Sequence, residues 1–326
     1  MLNDAYHRSI DYLRISITDR CNLRCVYCMP EEGVSACPHD DILRYEEIER
    51  VARAAAALGV RKLRLTGGEP LVRLGVVDLV RVLAHIPGIE DIAMTTNGML
   101  LAQYAAPLAE AGLMRVNVSL DTLQPERFRA ITRRGDLNAV LTGIDAAFAA
   151  GLEPVKINTV VMRGQNDDEV VDLARKTLDA PWHVRFIEWM PVGEAARDWR
   201  ARVVTSAELR ARIEAALGAL TPAEVDGAGP ARIYQLPGAL GTLGFIGAVS
   251  EHFCAQCNRL RLTADGKLRP CLLATNELDL RAALRGGASE ADIQALLLEA
   301  ARLKPQGHQL AEYAQVQGRA MAQIGG

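Results

Sequence analysis

The sequence is poor in aromatic residues, has no surplus of basic charge and contains no long apolar run. Only 15 of its 326 residues are Phe, Trp or Tyr, and 37 Lys+Arg stand against 40 Asp+Glu, a formal net charge of −3. A protein that coats nucleic acid needs a basic excess and stacking aromatics, so that class is excluded. The start, Met1 to Ser9, lacks the apolar core of a signal peptide. No uninterrupted apolar run approaches the ~18–20 residues of a membrane span. The longest uncharged stretch, Ile233 to Ser250, is broken by Pro237 and by Gly238, Gly241, Gly244 and Gly247. The expectation is a cytoplasmic protein with neither nucleic acid nor membrane as partner. There is also no Walker-type Gly-x4-Gly-Lys-Ser/Thr loop, so a phosphate ligand would have to be held mainly by side chains.

What is present is enough apolar residue for a large core, 49% of the chain, with 24% charged residues. Wholesale disorder is excluded by that balance. The length fits two domains, or one α/β barrel. Short strands are expected at Leu13–Ile17, Lys62–Thr66, Ile89–Thr95, Met114–Leu120, Pro154–Val161 and His183–Trp189. Helical patterns fill the gaps at Tyr45–Leu58, Gly75–His85, Leu101–Ala111, Leu137–Ala150 and Asp167–Leu178. Gly59, Gly88, Gly112 and Gly151 stand where helix C-caps are expected. Strand–helix repetition at this spacing implies a parallel sheet with crossover helices. Six units fit a partial (β/α)6 barrel of the TIM type, with functional residues at the C-terminal strand ends. An open doubly wound sheet is the alternative. After Pro191 the rhythm changes to a helix near Ser206–Leu217, a Pro/Gly-rich stretch, short strands, and a helix running from an N-cap at Ser289 to just before Pro305.

The strands are unusual in their alternation. Parallel strands covered by helices normally read as continuous apolar runs. Here Arg14 and Ser16 alternate with Leu13, Ile15 and Ile17, and Lys62, Arg64 and Thr66 with Leu63 and Leu65. Arg115, Asn117, Ser119 and Asp121 alternate with Met114, Val116, Val118 and Leu120, while Lys156, Asn158 and Arg185 sit among Ile157, Val184 and Phe186. Residues i and i+2 share a face. If helices cover the outside, these faces point into the lumen, where unpaired cations are very costly. They require a polyanionic ligand or internal ion pairs with Glu69, Asp121 and Glu188. Antiparallel-style strands with solvated polar faces are the remaining alternative.

Seven cysteines without a secretory signal make a poor disulfide framework. Six form two triplets, Cys21-x3-Cys25-x2-Cys28 and Cys254-x2-Cys257-x13-Cys271. Cys37 stands alone and reads as a small hydrophobe or incidental thiol. Three closely spaced thiolates can seat a [4Fe–4S] cube by three corners and leave the fourth iron open to a ligand. Zinc is the alternative at either triplet, with His39 or His252 as the fourth ligand.

Cys21-x3-Cys25-x2-Cys28, with Tyr27 before the last cysteine and Gly67-Gly68-Glu69-Pro70 ending the second strand, resembles the radical S-adenosylmethionine superfamily. The second triplet, with Asn258-Arg259-Leu260-Arg261 and the terminal Gly325-Gly326, is similar to the GTP 3′,8-cyclase family within it, which opens molybdenum-cofactor biosynthesis. The resemblance runs over nearly the whole chain. It implies a radical S-adenosylmethionine barrel over 1–190 and a C-terminal α+β part over 191–326 that closes the barrel and carries a second cluster.

The resemblance also implies roles. Cys21, Cys25 and Cys28 would hold one [4Fe–4S] cluster, and Cys254, Cys257 and Cys271 another. S-adenosylmethionine would contact Tyr27, Gly68, Ser119 and Met190. GTP would meet Arg14, Arg64, Thr95, Lys156, Arg259 and Arg261, with Lys62 and Arg185 as second-tier phosphate contacts. Arg259, Arg261, Gly325 and Gly326 would serve catalysis, in which a 5′-deoxyadenosyl radical takes the ribose 3′ hydrogen and C3′ bonds to guanine C8. An electron donor, the next pathway enzyme (cyclic pyranopterin monophosphate synthase) and a second copy of the chain are the implied partners. A peptide-modifying radical enzyme, a two-cluster electron carrier and a zinc-stabilised nucleotide-binding protein are the other readings.

Overall fold

Strands Tyr12–Ser16 (β1), Lys62–Thr66 (β2), Asp91–Thr96 (β3), Arg115–Ser119 (β4), Lys156–Val161 (β5) and His183–Glu188 (β6) lie side by side in chain order, all parallel. The structure, a computed structural model, describes residues 2–192, 199–225, 229–308 and 319–325. Helices Tyr45–Ala57 (α1), Val76–Ala84 (α2), Leu101–Glu110 (α3), Pro125–Thr132 (α4), Leu137–Ala149 (α5) and Val170–Asp179 (α6) return the chain between strands. This is the expected partial (β/α)6 barrel. Strand limits agree with the sequence pattern to within two residues. Helix α4, which opens with Pro125 at its first turn, was not foreseen; its eight residues carry too little apolar periodicity to stand out.

Alternation in the strands does what the sequence suggested. Leu13, Ile15, Leu63, Leu65, Val116, Val118, Ile157 and Val184 are almost wholly buried in one large apolar core shared with the helices. In α1 the buried residues include Ile48, Val51, Ala52 and Ala55, the i, i+3, i+4, i+7 stripe of a helix that covers a sheet. The polar partners of these strand residues therefore face the other way, into the lumen.

The C-terminal part joins the same sheet. After Trp199–Arg202 (α7) and Ser206–Leu217 (α8) come Thr221–Pro222 (β7), Arg232–Gln235 (β8), Thr242–Ile246 (β9), Arg259–Leu262 (β10), Lys267–Arg269 (β11) and Leu278–Asp279 (β12). Strand β9 pairs parallel to β6, and β10 pairs parallel to β1. The six-stranded arc is thus lengthened by one parallel strand at each edge, with antiparallel strands beyond, in a 12-stranded sheet. Leu280–Arg285 (α9) and Glu290–Arg302 (α10) follow; α10 begins at the expected Ser289, whose hydroxyl caps the Asp292 N–H. The last described element, Met321–Ile324 (α11), packs Ile324 against Val192, Met190, Val249, Leu272 and Leu273. No helix among the described residues is long and apolar enough to cross a membrane.

Candidate functional site

Register builds the site. Arg14 on β1 lies directly opposite Arg64 on β2 and Arg261 on β10. Across the lumen, Thr95 on β3 neighbours Asn117 on β4, Asn117 neighbours Lys156 on β5, and Asn158 neighbours Arg185 on β6. Arg261, Arg64 and Arg259 each act on Arg14 as like charges that disfavour its charged form. Three guanidiniums in one row therefore work against the fold unless an anion joins them.

The groups respond accordingly. Burial, then Arg261, pushes the Arg14 guanidinium well below its ordinary range. Burial and Arg259 bring Arg261 down to about 10, and burial and Arg64 bring Arg185 down to about 9. Lys156, wholly buried, is brought to about 6 by burial and by Arg185, Arg115 and Arg64.

Arg14, Arg64, Thr95, Arg185, Arg259 and Arg261 line one cavity of about 160 Å³ together with Cys254, Cys257 and Cys271. Five buried polar atoms on its wall, Arg64 Nε, Arg185 Nε, Thr95 Oγ1, Asn117 Oδ1 and Asn158 Oδ1, have no partner among the described residues. Such a set fits a polar anionic ligand, since leaving each atom unpaired costs about 1–3 kcal/mol.

Two expectations need revision. Glu69, Asp121 and Glu188 do not serve the lumen cations. Glu69 accepts from Leu71 N, Thr96 Oγ1 and Asn97 N at 3.0, 2.7 and 2.6 Å. Asp121 takes the Tyr27 hydroxyl and Val160 N, and Glu188 takes the N–H groups of Ser206, Val249 and Ser250. The acids that do pair are Asp91, with Arg115, and Asp11, with Lys62 at 2.9 Å. Lys62 stands at the first residue of β2, beside a neighbouring polar cleft rather than on the wall of the main cavity.

The first triplet sits on the loop after β1. Gly67 and Gly68 let the end of β2 close on this loop: a Cβ on Gly68 would lie 2.3 Å from the Arg20 carbonyl oxygen, and Gly68 N donates to Thr18 O at 2.7 Å. Burial pushes the thiols of Cys21 and Cys25 up, and that of Cys28 to about 12. Asn97 Nδ2 approaches Cys21 Sγ at 3.8 Å while donating to Asn22 Oδ1 at 2.7 Å. Tyr27 packs in a small apolar group with Ile131, Met162 and Trp189, its hydroxyl 2.8 Å from Asp121 Oδ2. Ser119 ends β4, and Met190 lies between the cavity and α11.

At the second triplet, burial raises the Cys257 thiol, but Arg259 and Lys304 outweigh it and bring the group down to about 6. Arg259 Nη2 is 3.7 Å from Cys257 Sγ, and its guanidinium lies over the Phe253 ring. Arg8, paired with Asp4, donates to the Cys254 carbonyl at 2.6 Å. Among the described residues, no three Cys, His, Asp or Glu side chains converge as a single metal ion requires. A cubane takes one thiolate at each of three irons, so its ligands surround a volume, and the thiol-only donor sets of both triplets fit it.

The tail reaches between the triplets. Ala322 N–H meets the Cys28 sulfur, and the Gly325 carbonyl accepts from Arg261 Nη1 at 2.9 Å and Arg14 Nη2 at 3.2 Å. Gly326 lies outside the described residues.

Comparison with known proteins decides the family. A model of the radical SAM superfamily matches residues 15–177, and one for Molybdenum Cofactor Synthesis C matches residues 182–310. The GTP 3′,8-cyclase of Pelotomaculum thermopropionicum is 57% identical over 326 residues, covering 100% of both chains. Those of Heliobacterium modesticaldum and Moorella thermoacetica are 55% and 53% identical over 325 residues, covering at least 99% of each chain. The chain belongs to the GTP 3′,8-cyclase family. Among solved structures, Streptococcus suis SuiB bound to S-adenosylmethionine superposes with a TM-score of 0.60 at 15% identity, covering 89% of this chain and 68% of that one. At that identity the likeness speaks for the radical SAM fold alone. Several residues that contact the cysteine segments carried no sequence signal: Asn97, Arg8 and Lys304 lie outside both cysteine motifs. Asn117 and Asn158 could have been added from their place in the polar alternation.

Proposed function

We propose that the chain converts GTP to 3′,8-cyclo-7,8-dihydro-GTP, the first step of molybdenum-cofactor biosynthesis. The observation that carries this reading is one cavity lined both by a cysteine triplet and by a row of guanidiniums on adjacent strands. When bound, S-adenosylmethionine and the two [4Fe–4S] clusters would supply the radical that takes the ribose 3′ hydrogen and, once C3′ has added to guanine C8, the electron that with a proton gives the 7,8-dihydro product.

The chain's own residues hold and orient. Cys21, Cys25 and Cys28 anchor the first cluster; Cys254, Cys257 and Cys271 anchor the second. Tyr27, Gly68, Ser119 and Met190 contact S-adenosylmethionine. Arg64, Lys156 and Arg185 take the triphosphate, because several charge-assisted donors are needed in the absence of a phosphate loop. Arg14, Thr95, Arg259 and Arg261 fix the nucleoside, so that C3′ and C8 stay within bonding reach and proximity selects the product. Gly325 and Gly326 serve catalysis together with Arg259 and Arg261; the Gly325 carbonyl already meets Arg14 and Arg261. Residues 1–190 form the barrel unit and 191–326 the unit bearing the second cluster. We further assign the chain to the cytoplasm, as a homodimer that draws on a one-electron donor and passes its product to cyclic pyranopterin monophosphate synthase.

Anaerobic reconstitution tests the site. Two cubanes require about eight irons and eight sulfides per chain. One or two zincs without sulfide would overturn the reading. Loss of GTP affinity in Arg259→Ala and Arg261→Ala supports the substrate assignment, and unchanged affinity in both contradicts it.

A further inference from the structure

Lys304 follows α10 and is only 3% exposed. Its Nζ donates to the carbonyl of Arg259 at 2.8 Å and to that of Pro270 at 2.9 Å. Those acceptors sit on separate arms of the second cysteine set: Pro270 immediately precedes Cys271, and Arg259 lies two residues beyond Cys257. The side chain also hydrogen-bonds the Cys257 sulfur. An ammonium has three donors and no acceptor, so its bonding capacity is fully used here.

Two neutral carbonyls do not compensate a buried charge. The groups of opposite sign beside it are the thiolates of Cys257 and Cys271, the form both take on iron. Arg8, which holds the third arm through the Cys254 carbonyl, differs in carrying its own counter-ion, Asp4, at 2.5 Å.

We propose that Lys304 is a positioning residue of the second cluster, bracing the Cys257 and Cys271 arms against each other and supplying the fixed positive charge beside which that cluster is reduced. The inference rests on the reading that the second triplet holds a cluster. Hydrogen bonds to the sulfurs and the local charge set the potential of such clusters.

The test uses the full chain with Cys21, Cys25 and Cys28 replaced by Ala, reconstituted anaerobically, so that the second cluster is observed alone. Iron and sulfide are counted, and the midpoint potential is read by a redox titration followed by electron paramagnetic resonance. With Lys304 intact, about four irons are expected; none would defeat the underlying reading rather than this one. Lys304→Gln, which keeps a donor but loses the charge, is expected to move the potential to more negative values or to lose the cluster. Lys304→Met is expected to do so at least as strongly, and Lys304→Arg to remain near the parent. Should Lys304→Met fail to fold, the Gln and Arg pair decides. Parent potential and iron content in Lys304→Gln, or a shift in Lys304→Arg as large as in Lys304→Gln, would overturn the proposal.

Discussion

The Gly325 carbonyl oxygen accepts a hydrogen bond from Arg261 Nη1 at 2.9 Å, and Arg14 Nη2 joins it at 3.2 Å. Two guanidiniums assigned to the substrate are thereby already oriented by the chain's own tail. Gly325 adopts φ +66°, and a Cβ there would lie 2.7 Å from Thr66 Cγ2 and 3.1 Å from Ser16 Cβ. Gly325→Ala therefore combines left-handed strain with a clash against two barrel strands, about 1–3 kcal/mol. If that cost falls on tail seating, kcat/KM for GTP drops roughly 5- to 160-fold. Iron content should stay at its parent value. Unchanged kcat/KM would show that tail seating does not bear on turnover.

Arg319 anchors the same tail. Its guanidinium reaches Asp265 at 2.9 and 3.0 Å and Glu277 at 2.8 Å, immediately before α11. Charge-assisted bonds of this kind contribute about 1.5–3 kcal/mol. Arg319→Ala is expected to raise hydrogen exchange at Ala322 to Ile324 by roughly thirtyfold, the equivalent of about 2 kcal/mol. Exchange at parent rates would mean that packing of Ile324 alone seats the tail.

Lys156 supplies a pH signature. Held at about 6 by burial, Arg185, Arg115 and Arg64, its amine is mostly neutral at pH 7.5–8 before GTP binds. A triphosphate beside it raises that value, so GTP binding takes up a proton. Calorimetry in two buffers of different ionisation enthalpy should show this uptake, and Lys156→Met should remove it. The same depression means that the unfolded chain binds more protons between about 6 and 10.5. This group's contribution to stability therefore improves as pH rises through that window. Zero uptake in the parent chain would contradict the assignment of Lys156 to the phosphates.

Asp121 behaves in the opposite sense. Burial raises its carboxyl to about 6 from an ordinary 3.8, despite the bonds from Tyr27 and Val160. The folded state binds more protons than the unfolded state between those values, so this group costs stability as pH rises through them. Asp121→Asn removes the titration. Relative to the parent, the variant should gain up to about 3 kcal/mol between pH 3.5 and pH 7.5. Parallel pH–stability curves for the two chains would contradict it.

Much of the barrel was legible because its signals are local. Alternation with period 2 placed Arg14, Arg64, Asn117, Lys156 and Arg185 on an inner face, and the structure brings four of these residues, all but Lys156, to one cavity wall. Both cysteine triplets could be read because their ligands are close in sequence. What escaped depends on contacts made at long range. Nothing near Leu260 or Phe245 announces that β10 and β9 extend the barrel edges beside β1 and β6. Lys304 lies 33 residues beyond Cys271 and looks like any lysine at a helix end until its carbonyl partners are known. The choice of acids failed for a related reason. Glu69, Asp121 and Glu188 are near the lumen in sequence, but backbone N–H groups claim them first, leaving Asp91 and Asp11 for the cations.

The most direct measurement follows one hydrogen. The reconstituted protein is incubated anaerobically with reductant, S-adenosylmethionine and GTP deuterated at C3′, and the 5′-deoxyadenosine is weighed by mass spectrometry. The expected result is 5′-deoxyadenosine that forms only with GTP and carries the deuterium, together with a cyclised nucleotide. Undeuterated 5′-deoxyadenosine at the same rate with or without GTP would contradict the assignment of this lumen to GTP.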